Sequence, residues 1–202
     1  MGTLNPIAQN DPVLFFSARL CQSPVMQQAE AILIRRHTWS DTSLITTWLT
    51  PHEGKIRLMA KGARRPASPF AGKLDLFFHA EVAYVIGKST SLHTLREIRL
   101  ISPFDASRVP CANVFLCGYF AELIDLATES GNPSPEMFDL LKRAIVHLRT
   151  ESASLRALEH FERELCRVLG VMDEQAHPLA AIETYCGRIP ASRAAATRFL
   201  AT

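Results

Sequence analysis

The sequence predicts an α+β protein, a five-stranded β-barrel of the oligonucleotide-binding (OB) type followed by an α-helical bundle. Three observations carry this. Between Ala29 and Ile101 short β-type runs alternate with turn residues; after Pro103 apolar residues recur with a period near 3.6; and the cations crowd into the first of these regions. The chain has 202 residues, 48% hydrophobic and 21% charged, which gives enough apolar surface for a core and suits one domain or two small ones.

Residues 1–28 mix Gly, Asn, Pro, Gln and Ser around one short apolar run, Val13–Phe16, and follow no regular period. We read them as a poorly ordered extension, with Met26 as an alternative start just before the first clear strand. The segment up to Asp11 has no Lys or Arg, so the charged start of a secretory signal is missing. The longest interior stretch without charge, Val109–Ala121, is 13 residues, short of the roughly 20 that a membrane-spanning helix needs. The expectation is a cytoplasmic protein that does not enter a membrane.

The barrel, residues 29–103, is assigned strands at Ala31–Arg36, Leu44–Thr50, Lys55–Ala60, Asp75–Ile86 and Leu92–Ile101. Pro51-His52-Glu53-Gly54 turns the second strand into the third, with Gly54 free to take a positive φ, and Gly87-Lys88-Ser89 breaks the fourth from the fifth. Five strands in this length fit an OB barrel, although the strand count equally allows an SH3-like one. In the helical domain, residues 104–202, Val109, Ala112, Leu116, Tyr119, Leu123 and Leu126 share one helix face, and Phe138, Leu141, Ile145 and Leu148 share another. Ser134 and Pro135 fit an N-cap followed by proline at the first helical position, and Gly170 ends a third helix carrying Leu158, Phe161, Leu165 and Val168. A last, alanine-rich helix starts near Ser192.

The composition excludes several classes of chemistry. Five cysteines, Cys21, Cys111, Cys117, Cys166 and Cys186, are scattered without a C-x-x-C spacing, so neither a disulfide framework nor a four-cysteine zinc site is expected. The histidines show no H-x-x-x-H spacing, His37, Ser40 and Asp41 lack a nucleophile elbow, and Glu159, Glu162 and Glu164 alternate with Arg156, Arg163 and Arg167 as a solvated, paired helix face would. No catalytic set, cofactor or metal is expected.

A net charge of +2 conceals an asymmetry. Residues 30–99 carry 11 Lys or Arg against 6 acids, whereas residues 100–202 carry 10 against 13. In the third strand Lys55, Arg57 and Lys61 share one face while Ile56, Leu58 and Ala60 share the other. The strand runs into a loop from Lys61 to Lys73 that also holds Arg64 and Arg65 and has no acid. A cationic strand face leading into a cationic loop suits phosphates of a nucleic-acid backbone; the plain alternative is a solubilising surface. Trp39, Trp48, Phe70, Phe77, Phe78 and Tyr84 could stack on bases, most of them belong in a core, and exposure is expected only for Trp39 and Phe70.

The segments Arg36-His37-Thr38-Trp39-Ser40-Asp41-Thr42-Ser43-Leu44, Leu49-Thr50-Pro51-His52-Glu53-Gly54-Lys55-Ile56-Arg57 and Ala60-Lys61-Gly62-Ala63-Arg64-Arg65, in this order, resemble the N-terminal domain of the RecO family of bacterial recombination mediators. Leu92–Glu97, Tyr119–Leu123 and Phe161–Leu165 extend the likeness to about Gly170. The resemblance implies an OB fold and a helical domain that bind single- and double-stranded DNA without catalysis. It also implies strand annealing in DNA repair and cooperation with RecR to load RecA onto strands coated by single-strand-binding protein (SSB). Carried over, DNA contact falls on Lys61, Arg64 and Arg65, supported by Arg35, Arg36, Arg57 and Lys73. The SSB tail, acidic and ending in apolar residues, would need an apolar groove with a cationic rim, for which Arg156 and Arg163 are the candidates. Two departures from the resemblance stand out: where many members carry a four-cysteine zinc finger only Cys186 stands beyond Val171, and a shortened helical domain is expected. A scaffold that acts through protein partners, or an RNA-binding barrel, are the competing readings.

Overall fold

The computed structural model describes residues 26–87, 92–172 and 177–200. Five strands, β1 (Met26–Thr38), β2 (Leu44–Thr50), β3 (Gly54–Ala60), β4 (His79–Val85) and β5 (Leu92–Ser102), are followed by α1 (Cys111–Ala127), α2 (Pro135–Thr150), α3 (Leu155–Leu169), α4 (Pro178–Cys186) and α5 (Ser192–Leu200). The strands close a barrel in the order β1-β2-β3-β5-β4. β3 and β5 pair in parallel, and β1 closes the barrel by pairing antiparallel with β4. This is the OB connectivity, and it decides between the two barrels that strand counting left open.

Two strand assignments are corrected, and one helix, α4, is added. β1 begins at Met26, inside the expected extension, because Met26–Glu30 pair with Glu81–Val85; the pairing comes from ladder hydrogen bonds, which polar residues make as readily as apolar ones. Residues 1–25, Cys21 among them, and Lys88 and Ser89 of the expected turn lie outside the described residues. β4 starts at His79 rather than Asp75, because Phe77 takes a positive φ of 67°. The bend lets Phe77 N–H donate to Leu33 O at 2.8 Å and Leu33 N–H donate to Phe78 O at 3.0 Å, and turns the Phe77 ring edge-on to Phe104 at 5.4 Å. The helix α4 has a single buried residue, Ile182, so it leaves almost no apolar period to read.

Alternation along the strands produces two cores. Leu33, Trp48, Ile56, Leu58, Val82, Tyr84 and Ile98 fill the barrel. Ile32, Ile34 and Leu49 point out of it and join Phe77 and Phe78 in a second core with the helices. β1 and β2 are thus apolar on both faces, which is possible only because α1 and α2 cover the outside. The buried helix residues include Leu116, Tyr119 and Leu123 of α1, all four predicted positions of α2, and Leu158, Phe161 and Leu165 of α3. Gly170 caps α3 in the left-handed region at φ 68°. Ser134 occupies the N-cap position of α2 without a side-chain capping bond, ahead of Pro135.

Two sets of contacts fasten the barrel to the helices. Ser130, in the α1–α2 connection, bridges to Gly54 and Lys55. Gly54 has a φ of +65°, and a Cβ there would lie 2.1 Å from Asn132 O. Lys55 donates to the Asp125 carboxylate at 2.8 Å and to its backbone carbonyl at 2.6 Å. On the α2 side, Glu30 accepts from Lys142 at 2.9 Å and bonds His79 at 2.7 Å. The hydrogen bond from Lys142 holds the Glu30 carboxyl below its usual range, and burial lowers His79.

The expected solvated face of α3 is corrected at Glu162, which is fully buried. Tyr119 O–H donates to its Oε1 at 2.6 Å, and Arg193 of α5 donates to Oε1 at 2.7 Å and Oε2 at 3.3 Å. The Glu162 hydrogen bond raises the Arg193 guanidinium pKa, and burial raises that of the Tyr119 hydroxyl. This trio ties α1, α3 and α5 together.

Arg193→Met should lower unfolding stability by about 3–5 kcal/mol, since it leaves a buried carboxylate without its cation; a loss under about 1 kcal/mol in urea unfolding would contradict the buried network. Gly54→Ala should cost at least about 2 kcal/mol, combining a left-handed backbone with the Asn132 clash, and unchanged urea unfolding would contradict the docking.

Candidate nucleic-acid interface

The two connections at one end of the barrel, residues 39–43 between β1 and β2 and residues 61–78 between β3 and β4, are laced together. Arg64 N–H donates to Thr42 O at 3.0 Å and its guanidinium to Ser40 O at 3.2 Å, while Gly62 N–H donates to the Ser43 hydroxyl at 3.3 Å. The longer connection is a series of tight turns, with Arg65 N–H bonded to Gly62 O, Ser68 N–H to Arg65 O, Ala71 N–H to Ser68 O and Lys73 N–H to Phe70 O. Gly62 and Gly72 supply positive φ values of 70° and 69°.

Phe70, expected to be exposed, is buried, and with Leu74 it belongs to the barrel core. The two side chains plug the barrel opening, so the loop that carries the cations also closes the barrel. Trp39 is exposed as expected, at 63%. Trp48, Phe77, Phe78 and Tyr84 are core residues.

The predicted cations divide into two groups. Lys61, Arg64 and Arg65 are exposed at the laced end, Lys73 is half-buried on the same loop, and Arg57 is half-buried on β3. Among the described residues none of these five forms an ion pair. Arg35 instead faces Asp125 of α1 at 3.4 Å. Arg36 donates to Leu74 O at 2.7 Å and pairs with Asp75 at 3.2 Å, holding the end of the loop to β1. Lys55, placed by alternation on the cationic face, is taken up by Asp125, and Arg99 by Glu81 at 2.6 Å. The field available to a polyanion therefore comes from the β3–β4 loop, Arg57 and the exposed Arg96 of β5, which forms no ion pair among the described residues.

In the helical domain, α2 and α3 enclose a groove of about 300 Å³. Its floor includes Leu140 and the stacked rings of Phe120 and Phe161, 3.8 Å apart, and its rim carries Arg143, His147 and His160. Arg156 lines an adjoining depression that shares His147 and His160, whereas Arg163 lines neither. Arg143 is the groove cation that sequence reasoning missed. Its spacing from the buried Leu140 and from His147 along α2 marks the edge of the apolar stripe, but its i,i+4 pairing with Asp139 at 2.8 Å gives it the pattern of an ordinary surface residue.

Among the described residues, no group of three or more His, Cys, Asp or Glu side chains is placed to hold a metal ion, and no helix is long and apolar enough to cross a membrane.

Family models match both halves of the chain, "Recombination protein O N terminal" over residues 26–104 and "Recombination protein O C terminal" over residues 112–174. A DNA repair protein RecO of Salinibacter ruber is 31% identical over 145 residues, covering 71% of this chain and 56% of the relative. That of Rhodopirellula baltica is 32% identical over 158 residues, covering 78% and 57%, and that of Bacillus subtilis is 28% identical over 124 residues, covering 61% and 48%. The chain spans about half the length of the curated relatives it matches. With the first model covering the barrel and the second the first three helices, the chain belongs to the RecO family.

Proposed function

We propose that this chain is a non-catalytic DNA-binding mediator of recombination and repair. It holds DNA strands at the laced end of the barrel, anneals complementary strands, and works with RecR to place RecA on strands coated by SSB. The observation that carries the reading is the acid-free loop from Lys61 to Lys73: its cations are left without ion pairs while Lys55, Arg36 and Arg99 elsewhere on the barrel are ion-paired within the fold and Arg35 shares Asp125 with Lys55. A phosphate backbone would displace condensed counterions at such a surface. The cations need not perform chemistry, and annealing requires only that two strands be concentrated and their mutual repulsion screened.

The relatives' name supports the repair role. The α2–α3 groove supports engagement of coated strands, because a stacked aromatic floor with a cationic rim matches a tail that is acidic and ends in apolar residues. In this reading Arg156 and Arg143, whose exposed pairing with Asp139 the tail would displace, receive the acidic part of the tail, and Arg163 is left with a surface role.

Replacing Lys61, Arg64 and Arg65 together with Ala should weaken oligonucleotide binding regardless of base sequence. It should also flatten the plot of log K against log salt by up to about three units on duplex and about two on a single strand, each lost phosphate contact contributing about 0.9 and about 0.7 respectively. An unchanged salt slope would remove the loop from the interface, and tighter binding of matched RNA than of DNA would favour an RNA-binding barrel. Charge reversal at Arg143 and Arg156 should abolish annealing of SSB-coated strands and leave annealing of bare strands within twofold. Equal losses with both substrates would contradict the groove assignment.

A further inference from the structure

Trp39 is the most exposed large apolar side chain among the described residues, and its place in the fold is fixed. The N–H groups of Trp39 and Ser40 both donate to Ser43 O, at 3.0 and 3.3 Å, so the turn that carries the indole is tied to itself. Arg64 ties it in addition to the cationic loop through Thr42 O and Ser40 O. No other aromatic ring of the described residues stacks on Trp39. An indole in this position forgoes the burial that makes tryptophan useful in a core, since Trp48 already fills the barrel and donates its Nε1–H to the Thr46 hydroxyl at 2.9 Å.

The surroundings select among ligands for this face. Asp41 is the one acid of the turn, and Lys61, Arg64 and Arg65 on the facing loop outnumber it. A flat apolar ring beside unpaired cations matches a ligand that alternates phosphates with planar bases. We propose that Trp39 is a stacking platform for an unpaired base, and that it makes this end of the barrel prefer single strands to duplex. The proposal rests on the reading of the laced end as a strand-binding surface and adds what discriminates between strand forms. The loop cations meet phosphates, which both forms present, so they position a strand without distinguishing it. In a duplex each base is already stacked on its neighbours, and only a single strand can offer a face to the indole without unstacking.

The two tryptophans allow a direct test with the whole chain, because Trp48 is fully buried and Trp39 is not. Titration with an oligo-dT strand should quench the exposed part of the tryptophan emission, whereas a duplex of equal length should bind without quenching. By anisotropy of labelled strands, Trp39→Ala should weaken oligo-dT binding about tenfold and change duplex affinity by less than twofold. Trp39→Phe, which keeps a π-face, should recover most of the loss, and the wild-type quench gives a readout that does not depend on either variant folding. Binding of oligo-dT with unchanged emission, or equal weakening of both strand forms by Trp39→Ala, would overturn the stacking role while the strand-binding surface stands. Oligo-dT binding that Trp39→Ala leaves untouched would overturn it in favour of a protein partner at the indole. Absence of binding to either strand form would overturn the underlying reading and the platform with it.

Discussion

Burial of the outer face of β1 and β2 is the constraint on which the rest of this structure depends. An OB barrel that stands alone keeps its apolar residues inside and its polar residues outside, but here Ile32, Ile34 and Leu49 point outward and are no more than 7% exposed. With Phe77 and Phe78 they share a core with α1 and α2. At about 1.5–3 kcal/mol for each large apolar side chain, covering these five contributes of the order of 10 kcal/mol as an upper bound, comparable to the whole stability of an ordinary domain. The barrel and the helices are consequently one folding unit, and the Phe77 bend is part of the arrangement, since it brings two rings into the core shared with the helices where the alternation of a continuous strand would turn one of them into the barrel.

Docking also sorts the charges. The helices lie along one side of the barrel and their α1–α2 connection closes over the β2–β3 hairpin, where Gly54 leaves no room for a side chain against Asn132. Asp125 of α1 neutralises Lys55 and faces Arg35. At the opposite end of the barrel the helices contribute no acid to the laced loops, and Lys61, Arg64, Arg65 and Lys73 keep their full field. A modest net charge of +2 thereby becomes a local cationic surface. The loop that bears it is held in shape by Phe70 and Leu74, which belong to the barrel core, so the loop cations are carried on a plug rather than on a free tether. Preorganisation of this kind lowers the ordering cost of binding.

Much of this was legible in the sequence. The alternation in β3 places Ile56, Leu58 and Ala60 in the core, the spacing in α2 finds all four of its predicted buried positions, that in α1 and α3 finds Leu116, Tyr119, Leu123, Leu158, Phe161 and Leu165, and the acid-free run from Lys61 marks the cationic loop; Val109 precedes α1, and Ala112, Leu126 and Val168 are half-buried. What could not be read depends on contacts between residues far apart in the chain. Nothing local distinguishes Lys55 from Lys61, because their difference lies in Asp125, 70 residues from Lys55. Glu162 looks like its neighbours Glu159 and Glu164 until Arg193 and Tyr119 are brought to it. Phe70 sits among Pro, Ala and Gly, where an aromatic residue reads as exposed, and only closure of the barrel reveals the opening it fills. The groove between α2 and α3 is likewise a product of packing, and nothing local marks Arg143, with Asp139 one turn away, as its rim cation in preference to Arg156 or Arg163.

The central claim is that a nucleic-acid strand lies across the laced end of the barrel and leaves the end covered by the α1–α2 connection untouched. Hydrogen–deuterium exchange of the full chain, free and saturated with an oligo-dT strand at low salt, tests it most directly. Slowed exchange in residues 39–43 and 61–73, with residues 51–55 and 129–132 unchanged, is the result the account predicts. Protection concentrated on residues 51–55 and 129–132, with the two laced loops unaffected, would contradict it.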